Sequence, residues 1–158
     1  MIKWIKKENN FSFDYQDFDK WVSWMDSQGM ARKIRLFSIS PWHEGFYFYE
    51  NNRLIYEKYK IGSERFNKLW QVFLIDLYHH LKEKKWWNKC YLSIDERGIH
   101  QEVFDLLDEL QTTEGINFKL FGCVDNVKAH YKYLSYFTDL SISDTSLDKS
   151  EANNQDRK

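Results

Sequence analysis

The sequence of 158 residues lacks the long apolar runs and the excess of one charge that mark several protein classes. No run approaches the roughly 20 apolar residues that a membrane helix needs. The basic N-terminus is not followed by an apolar segment, so it does not have the pattern of a signal peptide. The formal net charge is only -1. That balance argues against nucleic acid or an anionic membrane as the main partner, because such proteins usually carry a basic excess.

Glycine-rich phosphate loops and cysteine clusters are also missing. Neither GxGxxG nor GxxxxGK[ST] occurs, which removes the usual support for a Rossmann or P-loop protein. The two cysteines, Cys90 and Cys123, lie in strand-like runs, and we expect buried free thiols rather than a disulfide or a metal site. Such cysteine usage fits a reducing cytoplasm. Because His, Cys and acidic residues never fall into a ligand spacing, we expect neither a metal nor another cofactor.

Aromatic residues, in contrast, are abundant: they make up 18% of the chain and include seven tryptophans. One interpretation is a bulky core. The other is that some aromatic faces stack on flat apolar ligand surfaces, such as a sugar ring. Composition alone favours the core.

Hydrophobic periodicity predicts helices that alternate with strands. The predicted helices cover 14–28, a long segment that begins after the N-cap Ser63, a segment around 99–110 and a weaker segment around 127–134. The predicted strands cover 33–40, 89–94, 117–124 and 139–142, and a hairpin turns at Asn51-Asn52. Such alternation indicates a parallel sheet with right-handed crossovers.

This order of elements predicts an α/β fold with about four β/α units, which is half of a (β/α)8 TIM-type barrel with an inserted hairpin loop. The predicted domain covers residues 1–143. The remaining residues, 144–158, have almost no apolar side chains and are predicted to form a disordered polar tail.

Polar side chains follow the predicted strands at the ends where an α/β domain builds its active site. Asp95 and Glu96 stand side by side after the second strand, Trp42 and His43 follow the first, and Asp125 follows the third. In a barrel these neighbouring strand ends would converge on one pocket. The alternative is structural: Asp95 caps the next helix and Glu96 lies in its first turn, where the helix dipole favours an acid.

If the acidic pair is catalytic, its adjacency narrows the chemistry. Ordinary glycosidases use two carboxyl groups that flank the scissile bond, and neighbouring residues at one strand end cannot easily straddle a sugar. They suit a mechanism in which the 2-acetamido oxygen of the substrate is the nucleophile. One carboxylate then orients the amide N–H, and the other, kept protonated by its neighbour's charge, donates a proton to the leaving oxygen.

Four segments carry a resemblance to a known family: Pro41-Trp42, the tyrosine-rich 46–49, "HLKEKKW" at 80–86 and Asp95-Glu96-Arg97. In this order and spacing they resemble the catalytic region of glycoside hydrolase family 123, also described as domain of unknown function 4091. The resemblance covers about residues 13–143.

The resemblance implies a (β/α)8 barrel and an N-acetylgalactosaminidase-type activity on glycans by the acetamido-assisted route. It assigns Asp95 to the acetamido group and Glu96 to proton transfer. It also implies that Trp42 and either Tyr47 or Tyr49 contact the sugar. The expected substrate is therefore a carbohydrate with an N-acetylhexosamine.

The chain departs from the family pattern in two residues and in length. Lys85 stands where the family has a glycine before the tryptophan, and Gly98 stands where a proline is expected. Family members carry further strands after this region and usually a β-sandwich before it. We therefore expect a truncated gene product, self-association, or a second chain that supplies the missing barrel half. The alternatives to an active enzyme are a catalytically inactive remnant and a carbohydrate-binding or interaction module.

Overall fold

The computed structural model describes residues 2–36, 38–95, 98–124 and 131–142, with the backbone alone of Trp42 and Asp95. The helices are α1 (Gln16–Ser27), α2 (Glu64–Glu83) and α3 (Gln101–Glu114), and short 3-10 turns lie at Trp42–Glu44, Trp87–Lys89 and Tyr131–Tyr136. The strands are β1 (Lys3–Lys7), β2 (Asn10–Asp14), β3 (Ile34–Leu36), β4 (Gly45–Glu50), β5 (Arg53–Lys58), β6 (Cys90–Asp95), β7 (Leu120–Val124) and β8 (Asp139–Ile142). The predicted disordered tail, 144–158, lies outside the described residues.

The strands form two separate four-stranded sheets. The parallel sheet has the order β3-β6-β7-β8, and every neighbouring pair in it is parallel. The hairpin sheet has the order β2-β1-β4-β5 and combines two antiparallel hairpins that meet at the parallel pair β1–β4. The predicted α/β class is confirmed.

The hairpin at Asn51-Asn52 is confirmed, but it is not an isolated inserted loop. Both asparagines have positive φ angles, 51° and 61°, as a tight two-residue hairpin turn requires. The hairpin extends a sheet that begins with β1 and β2, two strands that were not predicted. β1 is hard to recognise in the sequence because three lysines accompany Trp4 and Ile5 in it.

The predicted strand 33–40 was too long, since only Ile34–Leu36 pairs with β6. Beyond it, the buried Ser38 hydroxyl accepts a hydrogen bond from the Ser40 N–H at 3.1 Å. A serine side chain that bonds nearby backbone offers the chain an alternative to the strand ladder. The weak helix before β8 was also imprecise: its described part, Tyr131–Tyr136, is a 3-10 helix.

One core joins the two sheets and α2. Ser63 caps α2 as predicted, because its hydroxyl accepts a hydrogen bond from the Phe66 N–H at 3.3 Å. The apolar stripe of α2 is buried, and its Trp70 and Phe73 meet Trp4 of the hairpin sheet with ring centroids 5.7 and 4.6 Å apart. For these rings the bulky-core interpretation of the aromatic composition is confirmed. Of the described helices, none has the length and apolar content needed to cross a membrane.

One ion pair indicates that the parallel sheet is curved. Lys33 Nζ lies 2.6 Å from Asp139 Oδ2, although β3 and β8 are the two end strands of the described sheet. Three strand spacings of a flat sheet measure about 14 Å, a distance that a lysine and an aspartate side chain together do not span. The sheet is therefore strongly curved, and the ion pair lies on its concave side.

Loss of this ion pair should give a pH-dependent change in stability. The hydrogen bond from Lys33 holds the pKa of Asp139 below its usual range. A lowered folded-state pKa contributes stability above the unfolded pKa, about 3.9, and that contribution is lost as the pH falls through the folded value. We expect Asp139→Asn to lower the urea midpoint at pH 7 and to lower it less at pH 3, where part of the carboxylate's contribution is already lost. The exposed Asp108→Asn serves as the control, and an equal decrease at both pH values would contradict the assignment.

Candidate active site

Asp95 is the last residue of β6, at the carboxyl end of an interior strand of the parallel sheet. The strand is apolar on the core side, where Leu92 and Ile94 are buried. Asp95 pairs in register with Cys123 of β7. The sequence prediction that Asp95 closes a buried strand is confirmed, while Glu96, its neighbour, lies outside the described residues.

The structural alternative for Asp95 is wrong, because Asp95 does not cap a helix. The helix that follows is α3, which begins at Gln101, and its N-cap residue is His100. The acid in the first turn of α3 is Glu102. Residues 98–100 separate β6 from the helix in extended or irregular backbone. Asp95 is therefore not the N-cap residue of α3.

Trp42 and His43 lie in the loop that follows β3, the strand that pairs with β6 in the parallel sheet. Both belong to the 3-10 turn Trp42–Glu44, in which His43 and Glu44 have φ angles of 56°. That conformation is uncommon for residues other than glycine and clusters at functional sites. The side chain of His43 is exposed.

Glu44 anchors this loop, a role that the sequence prediction missed. Its carbonyl oxygen accepts a hydrogen bond from the Tyr59 N–H at 3.0 Å, and its carboxylate accepts one from the Ile61 N–H at 3.1 Å. These two hydrogen bonds hold the turn against the segment after β5. The only sequence signal was an acid directly before a glycine, which does not reveal a partner 17 positions away.

The side of the parallel sheet opposite the core is polar and charged. By strand alternation Arg35, Tyr91 and Ser93 share this side. The Arg35 guanidinium lies 3.6 Å above the centroid of the Phe121 ring, and Lys33 bonds Asp139 nearby. A concave surface of this kind supplies charge and hydrogen-bonding groups next to the strand end at Asp95.

Tyr47 and Tyr49 lie elsewhere, on the outer side of the hairpin sheet. Strand alternation buries Phe46 and Phe48 against the core and leaves both tyrosines exposed on the opposite side. No contact between the described side chains joins either tyrosine to the end of β6. Asp125, the remaining predicted site residue, lies outside the described residues.

The described residues contain no group of three or more His, Cys, Asp or Glu side chains placed to hold a metal ion. Cys90 is buried, Cys123 is half-buried, and the two form no disulfide with each other. Burial raises the pKa of the Cys90 thiol to about 12. His80, in the adjacent-histidine pair of α2, packs against Tyr15 and contacts Asp19 Oδ1 at 2.7 Å.

The parallel sheet has sequential strand order, an acid at the carboxyl end of one strand and a strained loop in the connection that follows the neighbouring strand. Many α/β enzymes bind their substrate at the carboxyl ends of such strands. The chain belongs to glycoside hydrolase family 123: the family description "Glycoside hydrolase 123, catalytic domain" matches residues 1–158. The family resemblance stated from the sequence is confirmed.

A solved structure supports the same membership. The chain superimposes with a TM-score of 0.84 and 28% sequence identity on a family 123 glycoside hydrolase from Clostridium perfringens, which was described for glycolipid glycan hydrolysis. The match covers 95% of this chain and 28% of that chain, so this chain spans little more than a quarter of that enzyme's length. No curated protein matches the chain.

Proposed function

We propose that this chain carries the acidic machinery of a retaining glycoside hydrolase that removes N-acetylgalactosamine from glycans. The position of Asp95 carries the proposal: it ends an interior parallel strand and is not used as a helix cap. An acid at this position matches where α/β enzymes place catalytic groups. Membership in family 123 supports glycan hydrolysis as the reaction class.

In the proposed reaction, the acetamido oxygen of the substrate attacks the anomeric carbon as the bond to the leaving oxygen breaks. Asp95 accepts a hydrogen bond from the amide N–H and stabilises the positive charge that develops on the amide. Glu96 donates its proton to the leaving oxygen. Water then opens the cyclic intermediate and returns a proton to Glu96, so the configuration is retained and the acid is regenerated.

Residues at the neighbouring strand ends would bind the sugar. We assign this role to Trp42 and His43 in the strained turn after β3, and to Asp125 after β7. The left-handed backbone at His43 supports the assignment, since strained conformations persist where the surrounding structure holds them for a purpose. Tyr47 and Tyr49 are proposed to contact more distant parts of the glycan.

The parallel sheet is proposed to be part of a (β/α)8 barrel. Its strands follow one another in sequence order, as they do around a barrel, whereas doubly wound folds reverse direction at a switch point. Its strong curvature, which brings Lys33 to Asp139, also favours a barrel. In this proposal further strands pair with β3 and β8, the end strands of the described sheet.

The test uses a pair of chromogenic substrates that differ in one group. The chain is incubated with a 4-nitrophenyl β-N-acetylgalactosaminide and with the β-galactoside that has a hydroxyl instead of the acetamido group. Because the acetamido oxygen is the proposed nucleophile, we expect release of nitrophenol from the first substrate and none above background from the second. Equal turnover of both would contradict acetamido assistance. Binding of the first substrate without turnover would support the second candidate, a carbohydrate-binding module.

A further inference from the structure

The outer side of the hairpin sheet carries large exposed side chains that neither the core nor the strand-end site uses. Strand alternation places Tyr47 and Tyr49 of β4 beside Leu54 and Tyr56 of β5, and places Ile5 of β1 next to Tyr49. Tyr47, Leu54 and Tyr56 are exposed, and Tyr49 is exposed to 37%. We name this surface, made of these five side chains, the tyrosine face.

The Tyr56 ring packs directly against a glycine on this face. A Cβ atom at Gly45 would lie 2.3 Å from Cε2 and 2.8 Å from Cζ of Tyr56, far closer than atoms can approach. The ring therefore rests on the bare backbone of Gly45. The Tyr47 ring lies beside it, with centroids 4.8 Å apart and planes inclined by 43°. Tyr56 remains 43% exposed.

The surroundings of the tyrosine face are polar and rich in hydrogen-bond donors. Asn51 and Asn52 at the hairpin turn, together with Lys3 and Lys7 of β1, line a cavity of about 570 Å³ beside Tyr49. An exposed aromatic surface bordered by amide and ammonium groups suits a pyranose ring, which has an apolar C–H face and hydroxyl groups around its edge. An apolar protein surface would leave these polar groups without partners.

The tyrosine face is also continuous with the loop that holds the candidate site. Gly45, under the Tyr56 ring, directly follows Glu44, the last residue of the strained turn after β3. We propose that the tyrosine face is a second carbohydrate-binding surface, on which pyranose rings of the glycan chain beyond the cleaved residue stack against Tyr56 and Tyr47. The proposal takes the class of ligand from the proposed function.

The experiment compares a long ligand with a short one. Binding to the full chain is measured by isothermal titration calorimetry with a tetrasaccharide that ends in β-N-acetylgalactosamine, and with N-acetylgalactosamine alone. We expect Tyr56→Ala to raise the Kd for the tetrasaccharide about five- to tenfold, because one stacking ring is lost. The Kd for the monosaccharide should remain within about twofold of wild type, since the monosaccharide does not reach the tyrosine face.

Three further variants test the aromatic ring of Tyr56, its packing on Gly45 and the effect of removing an exposed tyrosine elsewhere. Tyr56→Phe keeps the ring and should bind within about twofold of wild type. Gly45→Ala displaces the ring and should reproduce the loss seen with Tyr56→Ala. Tyr131→Ala removes a tyrosine that is 75% exposed outside the hairpin sheet, and should have no effect. Circular dichroism and the Tm identify variants that retain the fold.

Several results would overturn the proposal. The first is failure of the wild-type chain to bind the tetrasaccharide. The second is an equal loss of tetrasaccharide affinity in Tyr56→Ala and Tyr131→Ala. The third is a loss of monosaccharide affinity in Tyr56→Ala as large as the loss of tetrasaccharide affinity. A change of oligomeric state in Tyr56→Ala, measured by light scattering, with unchanged sugar binding would instead assign the face to a second copy of the chain. Because only binding is measured, failure of the hydrolysis assay leaves this test intact.

Discussion

Replacing Glu96 with glutamine is expected to lower hydrolysis of the chromogenic β-N-acetylgalactosaminide by about 10² to 10⁴-fold, the usual contribution of a general acid. Glutamine has the size of glutamate, but its amide has no acidic proton to transfer to the leaving oxygen. Nitrophenol is itself a good leaving group, so the loss should be larger with a sugar leaving group, which needs more protonation. The measurement is the initial rate at saturating substrate, for both types of leaving group.

The same assay separates the two acids. Asp95→Asn should also lower the rate, and it should do so to a similar extent for both leaving groups, because Asp95 acts on the acetamido group and not on the departing oxygen. Glu109→Gln is the matched control, since Glu109 is an exposed acid on α3. A Glu96→Gln chain as active as Glu109→Gln would show that the acid at this strand end does not take part in catalysis.

Replacing Trp70 with alanine is expected to cost about 3–5 kcal/mol of unfolding free energy, the range measured for large aromatic residues in cores. Trp70 is 6% exposed and its ring contacts those of Trp4, Phe46, Phe66 and Phe73. Its removal leaves a cavity between α2 and the hairpin sheet. A domain of this size has a total stability of about 5–15 kcal/mol, so the variant should be near the limit of folding.

Urea denaturation followed by far-UV circular dichroism measures this loss. The control is Trp24→Ala, the same substitution at a tryptophan on α1 that is 56% exposed, and it should change stability by less than about 0.5 kcal/mol. If both variants lost the same amount, the two sheets and α2 would not share the core described above. A variant of Trp70 too unstable to purify would be compared as Trp70→Phe, which retains most of the apolar surface.

Features with a local cause were predictable from the sequence. The apolar residues of α2 recur at helical spacing, and its cap needs only Ser63 and a backbone N–H three positions away. The hairpin was signalled by Asn51-Asn52, since asparagine tolerates the positive φ that the turn demands. The carboxylate after an apolar run likewise indicated that Asp95 ends a buried strand.

Features that depend on partners distant in the sequence were not predictable. β1 was missed because its pattern is mostly lysine, and only pairing with β2 and β4 makes it a strand. The alternative in which Asp95 caps the next helix was wrong, although aspartate is a good capping residue by type, because the N-cap residue of α3 is His100. The Tyr56 ring packs on Gly45 only because β4 and β5 pair in one particular register.

The sequence by itself determined the class of fold, the long helix, the hairpin turn and the acidic residue at a strand end, because each follows from side-chain spacing or from the conformational preference of a few neighbouring residues. The tertiary structure alone decided that the hairpin joins a second sheet, that Glu44 anchors the strained loop and that Tyr47 and Tyr49 lie on the outer side of the hairpin sheet. These features follow from strand register and from contacts between segments far apart in the chain, which no local pattern encodes.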